Sequence, residues 1–394
     1  RSLVGSEMCI RDRMKRAAAA AISLMTGLAM LTGCSRAEVE ETIQPLVADA
    51  IEESDSEAEA VKEEDESPLI PEIDTDIKIH AGSRIAVVSK CVKGEYWKMV
   101  KKGMEDAVKE INKAYGYKKD DQITMTFEGP DNEEDVETQI NTIDAVIAEN
   151  PDVLCISASD MDSCEAQLEA AKENGIPVIA FDSNVAEKKL VKAYRGTDNV
   201  QVGKMAAYQL GSALGKMGKV AVFTAQQKTK SVQDRVEGFM NNIGKYGDIE
   251  VVETIYSDQV DDMEASMKEV LEKYPTLDGV FCTNADITEM YLNLEKSDEH
   301  DAPALVGVDA TTKQQEAIRN GEEIGCVSQQ PYAMGYQTIW AAVETTAPKK
   351  SVVIEKNVLS NPAWIDADCL NDPDYSGYLY LSLIHISEPT RLRC

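Results

Sequence analysis

From Arg84 onward, short apolar runs alternate with longer segments in which apolar residues recur at every third or fourth position. The run at 85–88 is continuous and β-branched, which is typical of a strand buried on both faces. The next segment places Trp97, Val100 and Met104 on one face of a helix that extends to Ile111. Further strands are predicted at 123–127, 153–156, 177–181, 220–223, 249–256, 280–282, 305–308 and 324–328. Further helices are predicted at 133–149, 161–174, 200–214, 233–243, 261–273, 287–294 and 312–320.

This alternation of strands and helices predicts right-handed βαβ units and parallel sheets. The patterned part of the chain has roughly 300 residues, enough for two domains with separate cores. We therefore predict an α/β fold made of two Rossmann-like lobes. No apolar segment within the patterned part is long enough for a transmembrane helix, which needs about 20 residues.

The two ends of the chain differ from the rest. Residues 1–13 and 381–394 match no pattern in between and resemble translated sequencing adapters, so we leave them out of the fold. Residues 14–33 have the order of a secretory signal peptide: a positive start, a short apolar stretch and small residues before Cys34. The run Leu31-Thr32-Gly33-Cys34 resembles a bacterial lipobox, which predicts a lipid anchor on Cys34. The alternative is an ordinary cleavage site beside an unrelated cysteine.

Composition narrows the range of partners. Residues 34–82 contain acidic runs and few bulky apolar groups, which predicts a disordered tether. The formal net charge of −30 argues against nucleic acid, because a phosphate-binding protein needs a basic surface.

Neither the cysteines nor the histidines form a recognisable site. The nine cysteines show no CxxC spacing, and those at 155, 282 and 326 fall in strand-like runs where cysteine serves as a small apolar residue. With three histidines in the chain, we predict no metal site and no cofactor.

Seven short motifs occur in an order that resembles one known family. From about Arg84 to Lys350 the chain resembles the ribose-binding-protein group of periplasmic sugar-binding proteins, which have type I topology and include lipoproteins of ABC importers. The motifs are Ala86-Val87-Val88-Ser89 with Tyr96-Trp97, Ile176-Pro177-Val178-Ile179-Ala180-Phe181-Asp182, Thr197-Asp198-Asn199, Arg235-Val236-Glu237-Gly238-Phe239, Phe281-Cys282-Thr283-Asn284, Val306-Gly307-Val308-Asp309 and Ser328-Gln329-Gln330-Pro331.

The resemblance implies two lobes joined by three chain crossings at a hinge, with the ligand held between them. It places the N-terminal lobe at 83–198 plus 330–348 and the C-terminal lobe at 199–329 plus 349–380. The strand pattern agrees, because ligands of open parallel sheets bind beyond the carboxyl ends of the strands. Polar residues follow the apolar runs at these ends.

Sugar recognition uses charged and amide groups for hydroxyls and aromatic faces for the ring. Asp182, Asp309 and Arg235 would make the stronger charged hydrogen bonds. Asn284 and Gln329 would supply amides, Tyr96 and Trp97 stacking faces, and Ser89 and Ser157 weaker contacts. The complete predicted set is Ser89, Tyr96, Trp97, Ser157, Asp182, Arg235, Asn284, Asp309 and Gln329.

Structural roles are the alternative for several of these residues. Trp97 would also serve as core and Tyr96 as a surface aromatic, and Arg235 would also pair with Asp234 or Glu237 on a helix surface. Either aspartate would also serve as a helix N-cap.

Some positions depart from the ribose-type pattern. Ser183 stands where that group usually has arginine, Ser157 replaces an asparagine, and Ala285 replaces an acidic residue. The loop from Lys90 to Glu95 is one residue longer than in that group and lacks its usual asparagines. These departures argue against ribose as the ligand. Lys93 or Glu95 would contact a charged or larger solute.

We predict a monomeric, extracytoplasmic, lipid-anchored protein that binds a sugar and delivers it to the membrane permease of an ABC importer. The alternative is a sensory binding protein that presents its sugar-bound form to a chemoreceptor or sensor kinase. Sugar-responsive transcription regulators share the fold, but their N-terminal DNA-binding domain has no counterpart here. No nucleophile elbow, P-loop or metal set supports an enzyme, so no catalytic residue is predicted.

Overall fold

A computed structural model describes residues 70–294, 302–348 and 351–380. All of these lie within one compact unit, Leu69–Glu388. The predictions for residues 1–13, the signal peptide at 14–33, the lipid site Cys34, residues 34–69 of the tether and residues 381–394 fall outside the described residues.

One six-stranded sheet has the order β11-β5-β4-β3-β1-β2. Each of its pairs is parallel. Its strands are β1 Arg84–Val88, β2 Thr124–Glu128, β3 Val153–Ile156, β4 Val178–Phe181, β5 Ala193–Thr197 and β11 Asn357–Ser360.

A second six-stranded sheet has the order β12-β10-β9-β8-β6-β7. Its pairs are parallel except for the antiparallel pair of β10 and β12. Its strands are β6 Met217–Thr224, β7 Asp248–Tyr256, β8 Gly279–Cys282, β9 Ala304–Val308, β10 Gly325–Ser328 and β12 Ala363–Ile365.

Nine α-helices connect the strands in the described part of the chain. They are α1 Gly94–Tyr115, α2 Val136–Ala148, α3 Glu165–Glu173, α4 Asn199–Ala213, α5 Lys230–Ile243, α6 Met263–Lys273, α7 Ala285–Leu292, α8 Thr312–Asn320 and α9 Pro331–Thr345. Helices α1 and α9 pack together against the first sheet, and α4 and α5 pack together in the second half. We call the first sheet with α1, α2, α3 and α9 the first lobe, and the second sheet with α4 to α8 the second lobe.

The predicted α/β fold with two parallel sheets is confirmed. Central strands such as β3, β4 and β8 are buried along their whole length, as their continuous apolar sequence requires. The chain passes between the sheets after β5, after β10 and after β11. None of the helices that the structure describes is long and apolar enough to cross a bilayer.

The predicted tether is wrong at its C-terminal end. Residues 70–82 pack on the first lobe, where Ile79 is buried and Ile70, Ile73 and Ile77 cover the core. Tyr115 donates a hydrogen bond to the carbonyl of Ile77 at 2.8 Å, which fixes this segment further. Spaced isoleucines supply the apolar surface that the acidic part of the predicted tether lacks.

The prediction that 349–380 belongs to the second lobe needs correction. Strand β11 pairs in parallel with β5 at the edge of the first sheet, and only β12 pairs with the second sheet. The last passage between sheets therefore falls between Ser360 and Ala363. Neither β11 nor β12 contains a long apolar run, so the sequence does not indicate which sheet each strand joins.

Candidate ligand-binding site

Two aspartates occupy matching positions at the carboxyl ends of the sheets. Asp182 follows β4 in the first lobe, and Asp309 follows β9 in the second. Both have left-handed backbone conformations, with φ of 54° and 79°. Such a conformation is uncommon for a residue other than glycine and is often associated with function. Both side chains are buried, and neither aspartate is the N-cap of a helix.

Three side chains contact the Asp182 carboxylate, and two of them, Tyr96 and Ser157, are predicted site residues. The Tyr96 hydroxyl donates to Oδ1 at 2.6 Å, and the Ser157 hydroxyl donates to Oδ2 at 2.8 Å. Lys90 Nζ lies 3.0 Å from Oδ2. Burial raises the pKa of Asp182, but the Lys90 charge and the Tyr96 hydrogen bond outweigh it and leave the pKa below its usual value.

Lys90 was not predicted as a site residue. Its side chain is 5% exposed, and its ammonium group also lies 3.6 Å from Glu133 and 5.7 Å from the centre of the Trp97 ring. Burial lowers the pKa of Lys90, but the nearby carboxylates of Asp182 and Glu133 raise it above its usual value. Lys90 therefore places a permanent positive charge beside Asp182. The ribose-type pattern has an arginine directly after this aspartate, and this chain has the uncharged Ser183 there.

Asp309 has a matching set of partners in the second lobe. Gln329 Nε2 and the Tyr380 hydroxyl each donate to Oδ1 at 2.7 Å. The Ala285 amide donates to Oδ2 at 3.1 Å. Gln329 Oε1 accepts from Thr197 at 2.9 Å, so this amide links the second lobe to the end of β5. Tyr380 is the second site residue that the sequence did not reveal.

Arg235 is buried on α5 and does not lie on a helix surface. Its Nε donates to Asn199 Oδ1 at 2.8 Å, and one terminal nitrogen donates to the Thr283 carbonyl at 2.7 Å. The predicted alternative partner Asp234 instead pairs with Lys230. The Arg235 charge also contributes to the lowered pKa of Asp182, so the two groups are electrostatically coupled.

Trp97 is both a core residue and part of the site wall. Its ring is buried, edge-on to Tyr96 at 5.1 Å and to Phe181 at 6.4 Å between centroids. Its Nε1 donates to Glu133 Oε1 at 2.7 Å. This bond fixes Glu133 beside Lys90.

The structure gives two predicted residues local structural roles. The Ser89 hydroxyl donates to the Cys91 carbonyl at 2.8 Å and to the Glu128 carbonyl at 3.2 Å. Asn284 is the N-cap of α7, with Oδ1 accepting from the Ile287 amide at 3.1 Å. The structure therefore brings Tyr96, Trp97, Ser157 and Asp182 together in the first lobe and Asp309 and Gln329 together in the second. Arg235 lies on α5 of the second lobe, and its charge acts on Asp182.

The two aspartates retain limited capacity to accept hydrogen bonds. A carboxylate offers about four lone-pair sites. Three protein donors contact Asp182, and three contact Asp309. About one acceptor position remains on each carboxylate, which suits one hydroxyl group apiece. The arrangement can recognise a polyhydroxylated molecule.

Further carboxylates surround the site on the second lobe. Asp286, in the first turn of α7, remains accessible. Surrounding protein displaces much of its hydration, and the carboxylates of Glu133, Glu289 and Asp309 repel its charge, so its pKa rises to about 7. Within the described ranges, no group of three or more His, Cys, Asp or Glu side chains is arranged to hold a metal ion.

Hydrogen bonds cross directly between the two lobes. The Met161 amide donates to the Lys228 carbonyl at 3.1 Å, and the Thr229 hydroxyl donates to the Ser159 carbonyl at 2.6 Å. The Thr312 amide, at the start of α8, donates to Glu95 Oε2 at 2.7 Å. These contacts hold the lobes together over the site, so the structure is a closed form.

The comparison with known families fits this architecture. Residues 85–350 match the family described as the periplasmic binding protein domain. The chain belongs to the periplasmic binding protein family. This confirms the resemblance drawn from the ordered motifs, and the family is one of binding proteins rather than enzymes.

Similar proteins are named for sugars and polyols. The ribose import binding protein RbsB of Bacillus subtilis is 26% identical over 220 residues, 56% of this chain and 71% of that protein. The xylitol-binding protein of Mycolicibacterium smegmatis is 25% identical over 211 residues, 53% of this chain and 60% of that protein. The match to the latter thus spans less than two thirds of its length.

Solved structures with bound sugars share the fold of this binding protein. An ABC transporter solute-binding protein from Agrobacterium vitis with bound D-fucose has a TM-score of 0.68 and 25% identity, covering 76% of this chain and 100% of that chain. A carbohydrate transporter solute-binding protein from Agrobacterium radiobacter with D-arabinose has a TM-score of 0.66 and 26% identity, covering 76% and 99%.

Proposed function

We propose that this periplasmic binding protein captures a small neutral sugar or polyol between its lobes. The observation that carries the proposal is the opposed pair of buried aspartates, Asp182 and Asp309, each at a strand end and each with about one acceptor position left. The names and bound ligands of similar proteins support the same ligand class.

The chemistry of the site suits hydroxyl groups. A hydroxyl that donates to a carboxylate makes a charge-assisted hydrogen bond, worth about 1.5–3 kcal/mol. Arg235 adds a buried positive charge that acts on Asp182, and we expect the rings of Tyr96 and Trp97 to pack against the C–H side of a sugar. Two such aspartates on opposite lobes make ligand binding and lobe closure favour each other.

The departures from the ribose-type pattern bear on which sugar is bound. Ser183 replaces the usual arginine, and its hydroxyl lies 3.2 Å from that of Ser231. Lys90 supplies a positive charge beside Asp182, with its Nζ 3.0 Å from Oδ2. Because Ser183 carries no charge at the position of that arginine, we do not expect ribose to be the preferred ligand.

We further propose that the protein works outside the cytoplasm as a monomer, anchored through Cys34, and delivers its ligand to the permease of an ABC importer. Family membership supports the extracytoplasmic location. Cys34→Ala expressed in a bacterial host tests the anchor. The variant should leave the membrane fraction, while the unchanged chain should stay in it; equal distribution of both would contradict the anchor.

A thermal-shift panel tests the binding function directly. The purified chain would be heated with D-ribose, xylitol, D-allose, D-fucose and D-arabinose, with L-leucine as a non-sugar. A ligand at about 100 times its Kd adds about 2.7 kcal/mol, which raises Tm by several degrees. We expect at least one sugar or polyol to produce this shift and L-leucine to produce none.

Matched variants distinguish the effect of a substitution in the proposed site from that of a substitution on the surface. At the same ligand concentration, Asp309→Asn and Arg235→Ala should cut the shift to about half or less, whereas Asp261→Asn, on the exposed surface, should preserve it. If no sugar or polyol moves Tm, the ligand class is wrong, and nucleosides and peptides become the next candidates.

A further inference from the structure

The backbone of Tyr380 belongs to the second lobe. Its amide donates to the Ala310 carbonyl at 3.0 Å, and its carbonyl accepts from Gln315 Nε2 at 3.3 Å. The preceding Leu379 packs in one apolar cluster with Ala310 and Ile318. The segment that carries Tyr380 is therefore fastened to the second lobe at the end of β9 and the start of α8.

The ring of Tyr380 belongs to the first lobe. It is fully buried and packs in the apolar cluster that contains Trp97 and Phe181. Its centroid lies 5.9 Å from that of Tyr96, with the two planes tilted by 56°. A single side chain thus leaves one lobe and joins the core of the other.

The Tyr380 hydroxyl returns to the second lobe. It donates to Asp309 Oδ1 at 2.7 Å, as the hydroxyl of the contacting Tyr96 donates to Asp182 Oδ1 at 2.6 Å. Two touching rings therefore each hold one of the two aspartates. Separating the lobes must withdraw the Tyr380 ring from its apolar surroundings or break the bond to Asp309.

We propose that Tyr380 is a positioning residue that fixes Asp309 and clasps the two lobes together in the absence of ligand. Part of the free energy of closure then comes from the protein itself, and a ligand meets a site whose carboxylate is already oriented. The proposal relies on the proposed function only in treating the cleft as the binding site, and its test uses no ligand.

Hydrogen–deuterium exchange of the ligand-free chain provides the test. The amides of Met161 and Thr312 donate across the lobes, to Lys228 and to Glu95, so their protection reports closure. The Asp309 amide donates within the second sheet, to Val327, and reports folding of that lobe. Tyr380→Ala should reduce protection at the two cross-lobe amides by at least about tenfold and leave the Asp309 amide unchanged. Tyr380→Phe, which keeps the ring, should give a smaller reduction.

The control is Tyr378→Phe in the same segment, whose hydroxyl donates to the Asn361 carbonyl at 3.3 Å. It should match the unchanged chain. Two results would overturn the proposal: unaltered cross-lobe protection in Tyr380→Ala, or an equal loss at all three amides, which would make Tyr380 an ordinary core residue. A failure of the sugar panel would leave this result untouched.

Discussion

Lys90 and Asp182 form an ion pair whose side chains are 5% and 4% exposed. Removing one member of a buried pair leaves the other charge without compensation, which costs more than the pair itself contributes. A lysine in a loop next to an apolar strand is far more often solvated than buried. The pair therefore becomes visible only when the end of β4 and the loop after β1 are brought together.

Lys90→Met should destabilise the protein by about 3 kcal/mol at pH 7. Because pairing lowers the pKa of Asp182, the stabilisation exists above the unfolded pKa and disappears as the pH falls through the folded pKa. The deficit should therefore persist down to about pH 4 and shrink only at lower pH. Urea unfolding of Lys90→Met, Asp182→Asn and the double variant measures this, and the double variant should lose less than the sum of the single changes.

The exposed pair of Lys93 and Asp131, with Nζ 2.5 Å from Oδ2, serves as the control. Lys93→Met should stay within about 0.5 kcal/mol of the unchanged chain. Equal losses for Lys90→Met and Lys93→Met would contradict the assignment of a buried, site-forming pair.

Glu323 is a buried carboxyl outside the site. It is 1% exposed, its Oε1 accepts from Gln314 Nε2 at 3.3 Å, and its Oε2 has no hydrogen-bond partner among the described residues. Burial raises its pKa to about 8. The neutral form is therefore favoured in the folded protein at neutral pH.

Glu323→Gln should stabilise the protein at alkaline pH. A folded pKa near 8 against an unfolded value of 4.5 means that stability is fully present below 4.5 and is lost progressively as the pH rises toward 8. The glutamine variant should therefore gain more in Tm at pH 8 than at pH 5. Glu322→Gln, at the exposed neighbouring position, should show no such pH dependence; a parallel response of both variants would count against the buried acid.

At the scale of secondary-structure elements, the sequence predicted the strands and helices whose apolar residues follow a clear pattern. Every predicted strand occurs, with ends shifted by a few residues, because the central strands are continuous apolar runs buried on both faces. Strand β5 was missed because it contains Arg195 and Gly196; the buried arginine donates to the carbonyls of Tyr194 and Glu355. Helix α9 was missed because most of its residues are buried, so it has no polar face to reveal a helical period.

The site was predictable as far as strand ends could place it. Asp182, Asp309 and Gln329 follow recognisable strands, Arg235 lies within the recognisable helix α5, and all four were predicted. Lys90, Glu133 and Tyr380 were not, because their contacts join segments far apart in the sequence. Ser89 and Asn284 stand at equally suggestive strand ends, yet their side chains bond to backbone groups nearby.

The crossing of α4 and α5 carries a prediction at this scale. A Cβ on Gly203 would lie 1.9 Å from the Arg235 carbonyl oxygen, so the helices touch through this glycine. Gly203→Ala should push α5 outward, displace Arg235 and lower both Tm and sugar affinity. Gly247→Ala, where a Cβ would meet nothing within 4 Å, is the control. Unchanged Tm in Gly203→Ala would contradict this close approach.

At the scale of the whole molecule, each lobe contributes one buried aspartate and one buried cation to the proposed site: Asp182 and Lys90 from the first, Asp309 and Arg235 from the second. The lobes are linked by hydrogen bonds across the cleft as well as by three passages of the chain. The chain passages join the lobes in any arrangement, so it is the hydrogen bonds across the cleft that favour the closed one. A ligand that forms hydrogen bonds with both aspartates would add further non-covalent contacts between the lobes.

Binding between the two aspartates is measured by calorimetric titration of the strongest ligand from the thermal-shift panel into four chains. The unchanged protein and the surface variant Asp261→Asn should bind with the same Kd. Asp182→Asn and Asp309→Asn should each raise Kd by about tenfold or more, since each loses a charge-assisted bond. Unaltered affinity in both aspartate variants would show that the ligand binds elsewhere and that Asp182 and Asp309 do not form its site.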